Sequence, residues 1–153
     1  MATLRKSCRG TGFTLIEMLI ALVLAGVITA IALPAYSRHV NRGRTAKAIA
    51  DIKSIEMGLE RFMTARGRYP ASLAEAGITL TDPWGRAYRY LNMEGAKVGQ
   101  VRKDRSLHPL NTDYDLYSVG PDGKSATPLT AAISRDDIVR ARNGSFVGPA
   151  KDY

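Results

Sequence analysis

The chain has 153 residues, a net charge of +8, one cysteine and two histidines. That length suits one domain with an appendage, and so few cysteines and histidines exclude an intramolecular disulfide and give little support to a Cys- or His-based metal or catalytic centre. The positive charges are spread along the chain without an interleaved aromatic platform, which argues against a nucleic-acid partner.

Residues 1–12 are polar and basic, with Arg5, Lys6, Arg9 and the lone Cys8. Without them the net charge falls from +8 to +5 and no cysteine remains. Phe13 to Leu33 is a run of 21 residues with one charge, Glu17. As a helix rising ~1.5 Å per residue it is about 30 Å long, the depth of a bilayer core. The basic residues before it place the N-terminus in the cytoplasm and send the chain from Pro34 onward across the membrane. A secretory signal peptide is one reading, with Ala30 and Ala32 imitating its cleavage site, but its apolar region is only about 7–15 residues long. A plain single-span anchor is another. It leaves Glu17 unexplained, since a carboxylate in an apolar span costs ~2.5–3.5 kcal/mol on insertion scales.

The spacing of Ile49, Ile52, Ile55, Leu59, Phe62 and Met63 predicts an amphipathic helix over 35–66, with these residues facing a core. Pro34 stands at the junction of the two helical halves and removes a backbone donor, and Gly43 is a second weak point. Gly67-Arg68-Tyr69-Pro70 ends the helix. A brief helical turn is expected at Ser72–Ala76 and a tight turn at Asp82-Pro83-Trp84-Gly85. Strands are expected at Ala87–Leu91 and Asp113–Val119, joined by a long connection with some strand near Val98–Val101. The tail after Lys124 reads as mostly loop. The expected fold is α+β: a long N-terminal helix, membrane-spanning then amphipathic, packed on a small antiparallel sheet with a loop-rich C-terminal tail. The expected division is 1–12, 13–33 and 34–153.

Gly12-Phe13-Thr14-Leu15-Ile16-Glu17, between a short basic leader and a long apolar helix, resembles the processing and methylation motif of type IV pilins and their relatives. The resemblance implies that a prepilin peptidase cuts after Gly12 and that the new amino group of Phe13 is methylated. It gives Glu17 a role beside the Phe13 amine of a neighbouring subunit, where low dielectric strengthens the pair. Glu17 is also one turn from its own N-terminus and helix dipole, and the two roles remain open. Pro34 matches the family's helix-interrupting proline. It implies either loss of helix over roughly 34–43 in a filament or a mild kink.

Gly67-Arg68-Tyr69-Pro70, Asp82-Pro83-Trp84-Gly85 and Asp115-Leu116-Tyr117-Ser118-Val119-Gly120-Pro121-Asp122-Gly123 are similar to the major pseudopilin of type II secretion systems. The resemblance implies a non-enzymatic helical homopolymer. Its partners would be prepilin peptidase, an inner-membrane assembly platform and minor pseudopilins or pilins. The chain would be a single-pass inner-membrane protein with a periplasmic domain, its filament periplasmic or on the cell surface. A surface pilus for adhesion, motility or DNA uptake is the alternative. No nucleophile–base pair or phosphate-binding loop points to an enzyme. The same resemblance implies calcium on Asp122, Asp136, Asp137 and the backbone carbonyl of Val119, with Ser118 a further ligand. The competing reading is that Asp122 caps a turn and Asp136 a short helix. The tail from Ser125 to Tyr153 is longer than that pattern.

Overall fold

Thr14 stands just before a run of helix-forming residues, and Glu17 follows three positions later, a spacing that satisfies free amides at a helix start. In the computed structural model, which describes residues 12–97, 99–106 and 108–153, helix α1 begins there and runs Leu15–Arg66. It ends as the Gly-Arg-Tyr-Pro sequence requires. Gly67 takes φ +71°, a conformation open to glycine, and its N–H donates to the Met63 carbonyl at 2.8 Å. Residues 1–11 of the expected leader 1–12, and Val98, lie outside the described residues. The chain divides into two compact units between Val40 and Asn41.

In the first unit the helix passes through Pro34 unbroken. Proline removes only its own N–H from the ladder, and the neighbouring turns remain bonded, with Ser37 Oγ donating to the Pro34 carbonyl at 3.2 Å. None of the apolar window is buried, and Leu15, Leu22, Ile28 and Leu33 are all well exposed.

In the second unit the helix buries Ala48, Ile52, Ile55 and Leu59, a stripe of four- and three-residue steps. Ile49, Phe62 and Met63 are only half-buried on its flanks. The stripe packs on Tyr88, Tyr114, Leu116 and Ile138. These come from or adjoin a four-stranded antiparallel sheet of β1 (Arg89–Asn92), β2 (Tyr114–Ser118), β3 (Ile138–Ala141) and β4 (Phe146–Pro149), in that spatial order. The opposite face is covered by Leu110, Leu129 and Ala150, which pack on Val139 and Ala141. The α+β fold is as expected; the tail is not. Instead of loop, residues 138–149 form a hairpin that supplies two of the four strands. Its turn holds Asn143 at φ +52° and Gly144 at +89°, the positive values that tight hairpins need and that Asn-Gly favours. Strand β3 is buried at all four positions, so it lacks the polar–apolar alternation that marks a strand with one wet face.

Smaller differences follow the same logic. No strand forms over residues 99–101; the connection there bends, and Lys103 instead bridges Pro109 and Pro128. Residues 73–77 form hydrogen-bonded turns rather than a helix, ending at Gly77. His39 and His108 are exposed, as expected of isolated histidines.

Candidate processing segment and the β2–β3 loop

The peptide between Gly12 and Phe13 lies in non-helical chain, three residues before the helix begins. No described atom comes within 4 Å of a Cβ built on Gly12, so nothing among the described residues demands glycine there. Immediately after it the helix is tied. Thr14 N–H and Thr14 Oγ1 both donate to Glu17 Oε2 at 2.8 Å, and Glu17 N–H donates to Thr14 Oγ1 at 3.3 Å. This is a capping box built into the motif, and its signal, Thr-x-x-Glu, is local. Glu17 therefore already serves its own helix start. Both side-chain bonds fall on Oε2, and Oε1 accepts none among the described residues.

The three later motifs meet in the second unit. Tyr69, from the first, packs edge-on against the Tyr114 ring at 4.9 Å, and the Tyr90 hydroxyl donates to the Pro70 carbonyl at 2.8 Å. Asp82, from the second, accepts Trp84 and Arg86 N–H on Oδ1 and the Ser118 hydroxyl on Oδ2 at 2.6 Å. Ser118 thus joins the second motif to the third. Arg86 then donates from Nη1 to the Gly120 carbonyl at 2.6 Å. Gly120 has φ +66°, and a Cβ there would collide with the Asp136 carbonyl oxygen. The two sides of the β2–β3 loop meet at that point.

The expected calcium ligands are placed differently. Asp122 is exposed and accepts Lys124 N–H at 2.7 Å, the turn-capping alternative. Asp136 follows a short 3-10 turn and does not cap a helix start; its Oδ2 accepts Asp122 N–H at 3.1 Å. Asp137 is fully buried, and its Oδ2 is taken by Arg102 Nη2 at 2.6 Å and Ser125 Oγ at 2.6 Å. Burial pushes its carboxyl up to about 6, against those two bonds. Val119 is buried, and Ser118 is committed to Asp82. Among the described residues no three Asp, Glu, His or Cys side chains are grouped so as to hold a metal ion. The donors present do not fit calcium, because their only fully buried carboxylate already faces a guanidinium. Composition and periodicity carry no signal for a buried arginine, and Arg102 and Arg86 are absent from the residues expected at this loop.

The leader motif and apolar helix, followed by a helix-on-sheet domain, define a class. Residues 9–33 match the family model described as the prokaryotic N-terminal methylation motif. That motif makes the chain similar to type IV pilin-like proteins over its first helix. It is similar to the type II secretion system core protein G of Pectobacterium carotovorum subsp. carotovorum, at 27% identity over 78% of this chain and 81% of that protein. The core protein G of Vibrio cholerae serotype O1 is 29% identical over 84% of this chain and 92% of its own length. A fimbrial protein of Neisseria meningitidis serogroup A is 29% identical over 90% and 79%. No solved structure gives a significant match.

Proposed function

We propose that this chain is the main structural subunit of a type II secretion pseudopilus, made as a precursor, cut after Gly12 and methylated at Phe13. The observation that carries the reading is a methylation motif over residues 9–33 at the head of an unburied apolar helix, on a domain similar to core protein G along most of its length. An apolar helix with no buried face needs lipid first and neighbouring helices later. The subunit waits in the inner membrane with its domain in the periplasm. It then leaves the bilayer for a filament core made of copies of itself. The assembly platform and minor pseudopilins would start and guide that growth.

Glu17 is the polar link in this scheme. Cleavage creates an amine on Phe13. In a bilayer or filament core the amine and carboxylate are each costly alone and attract strongly together. Oε2 can keep the Thr14 cap while Oε1 accepts the Phe13 amine of a neighbour. The work of such a subunit is mechanical: a growing filament pushes cargo outward. Expression with a complete secretion system tests this. Filaments composed of this chain, and loss of secretion on its deletion, are expected. Normal secretion without it, alongside surface fibres that contain it, would favour the fimbrial alternative that the Neisseria relative represents.

A further inference from the structure

The loop between β2 and β3 spans residues 119–137, long for a connection whose only regular element is a single 3-10 turn. Ordering it costs backbone entropy at every residue, so something must tie it down. Two arginines do so, from two different segments. Arg102 enters from the β1–β2 connection, where its N–H donates to Asp115 Oδ2 at 2.7 Å. Its side chain is 3% exposed. The guanidinium lies 4.2 Å from the Tyr117 ring centre, donates from Nη2 to Asp137, and from Nη1 to the Ser125 hydroxyl and, at 3.0 Å, to the Ala126 carbonyl. Arg86 enters from the turn before β1 and donates to the carbonyls of Gly120 and Pro121. It lies so close over Gly123 that a Cβ there would meet the guanidinium carbon at 2.7 Å.

The oxygens these arginines hold are of one kind: a carboxylate, a hydroxyl and backbone carbonyls. Calcium seeks the same set, six to eight of them at ~2.3–2.6 Å. Here each is already facing a fixed positive charge. We propose that in this chain Arg102, assisted by Arg86, takes the place of a divalent ion as the closure of the β2–β3 loop, so that the domain folds without calcium. The guanidinium is planar and permanently charged and offers several donors at once, which lets it join three loop oxygens where an ammonium joins fewer. A calcium ion at Asp137 would sit within a few ångströms of a buried guanidinium and be repelled by it. Asp137 Oδ1 accepts no bond among the described residues, and one oxygen is not a calcium site. The inference concerns the loop alone and holds whichever filament the chain builds.

Thermal melting of the purified full-length protein in detergent, in excess calcium and in chelator, tests it. The expected result is the same midpoint in both. Arg102→Met should lower the midpoint by roughly 5 °C or more in both conditions, and Arg102→Lys by less, because one ammonium keeps the charge but loses donors. The double variant Asp122→Asn with Asp136→Asn should melt as the parent does, with or without calcium. A parent midpoint that rises with calcium but not magnesium, and a double variant that loses the rise, overturns the proposal. So does an Arg102→Met protein as stable as the parent. If Arg102→Met does not fold, the parent and the double variant still decide.

Discussion

Glu17 holds the Thr14 cap, and its proposed pairing with a neighbour's amine makes a separable demand. The Thr14 cap asks only for a carboxylate at the third helical position, while a neighbour's Phe13 amine asks for a charge inside an apolar core. Glu17→Ala is expected to insert and be cleaved normally, since it removes a costly charge, and to yield few or no filaments. Thr14→Ala removes the capping hydroxyl, worth about 1 kcal/mol, and is expected to leave filament yield near normal. Electron microscopy of sheared filaments with immunoblots of cleaved subunit compares the two, and normal filaments from Glu17→Ala would remove the intersubunit role. Gly12→Val places a branched side chain beside the scissile bond, at a position where the described chain itself tolerates one. The uncleaved precursor should accumulate on an immunoblot with the domain's melting unchanged; full cleavage would show that glycine is not read by the peptidase. The position of Glu17 one turn from its own helix start was legible in the motif, and the Thr-x-x-Glu spacing is the local signal for the capping box formed there. The aspartates at 122, 136 and 137 were legible as a loop feature and not as a ligand set, because a buried arginine from 102 cannot be foreseen from spacing.

The elements reward a similar comparison. Helix α1 was legible because its core stripe and its Gly67 stop are periodic and local, and β2 because it is rich in tyrosine and leucine. The β3–β4 hairpin was not. Its strands are four residues each, one is buried on both faces and carries Arg140 in its middle, and the other contains Gly148 and Pro149. The Asn143-Gly144 turn was the available clue. Arg140 ties this hairpin to the helix alongside the packing of Ile138. Only 2% of its side chain is exposed; Nε donates to Glu56 at 2.8 Å, both Nη atoms donate to Asp113, and the guanidinium lies 4.0 Å from the Tyr114 ring centre. Breaking a buried pair costs about 3–5 kcal/mol, and here less, since Glu56 and Asp113 keep partial contact with water. Arg140→Met is expected to destabilise the protein by about 2–3 kcal/mol in a urea titration. A loss under about 0.5 kcal/mol, the size of an ordinary surface change, would mean that the hairpin is held by apolar packing alone.

At the scale of the molecule, the two units are built for different solvents. The second has a two-sided core, and the first has none of its apolar window buried. Two buried carboxyls in the second unit bear on its response to pH. Burial raises Asp115, and raises Asp137 to about 6. A raised carboxyl binds protons more readily when folded, so its contribution is fully present below the unfolded value near 4 and is lost as pH rises through the folded value. Lowering the pH from 7 to 5 should therefore not lower the melting midpoint, and Asp137→Asn should flatten the pH dependence in that window. A midpoint that falls steadily from pH 7 to 5 would contradict this. The proposed passage from precursor to filament subunit turns on one bond, between Gly12 and Phe13. Intact mass and N-terminal fragmentation of the protein purified from filaments read it directly. The account predicts a chain that begins at Phe13, carries one added methyl group on its amine and lacks Cys8. A chain that begins near Ala32, or one that retains residues 1–12 in assembled filaments, would contradict it.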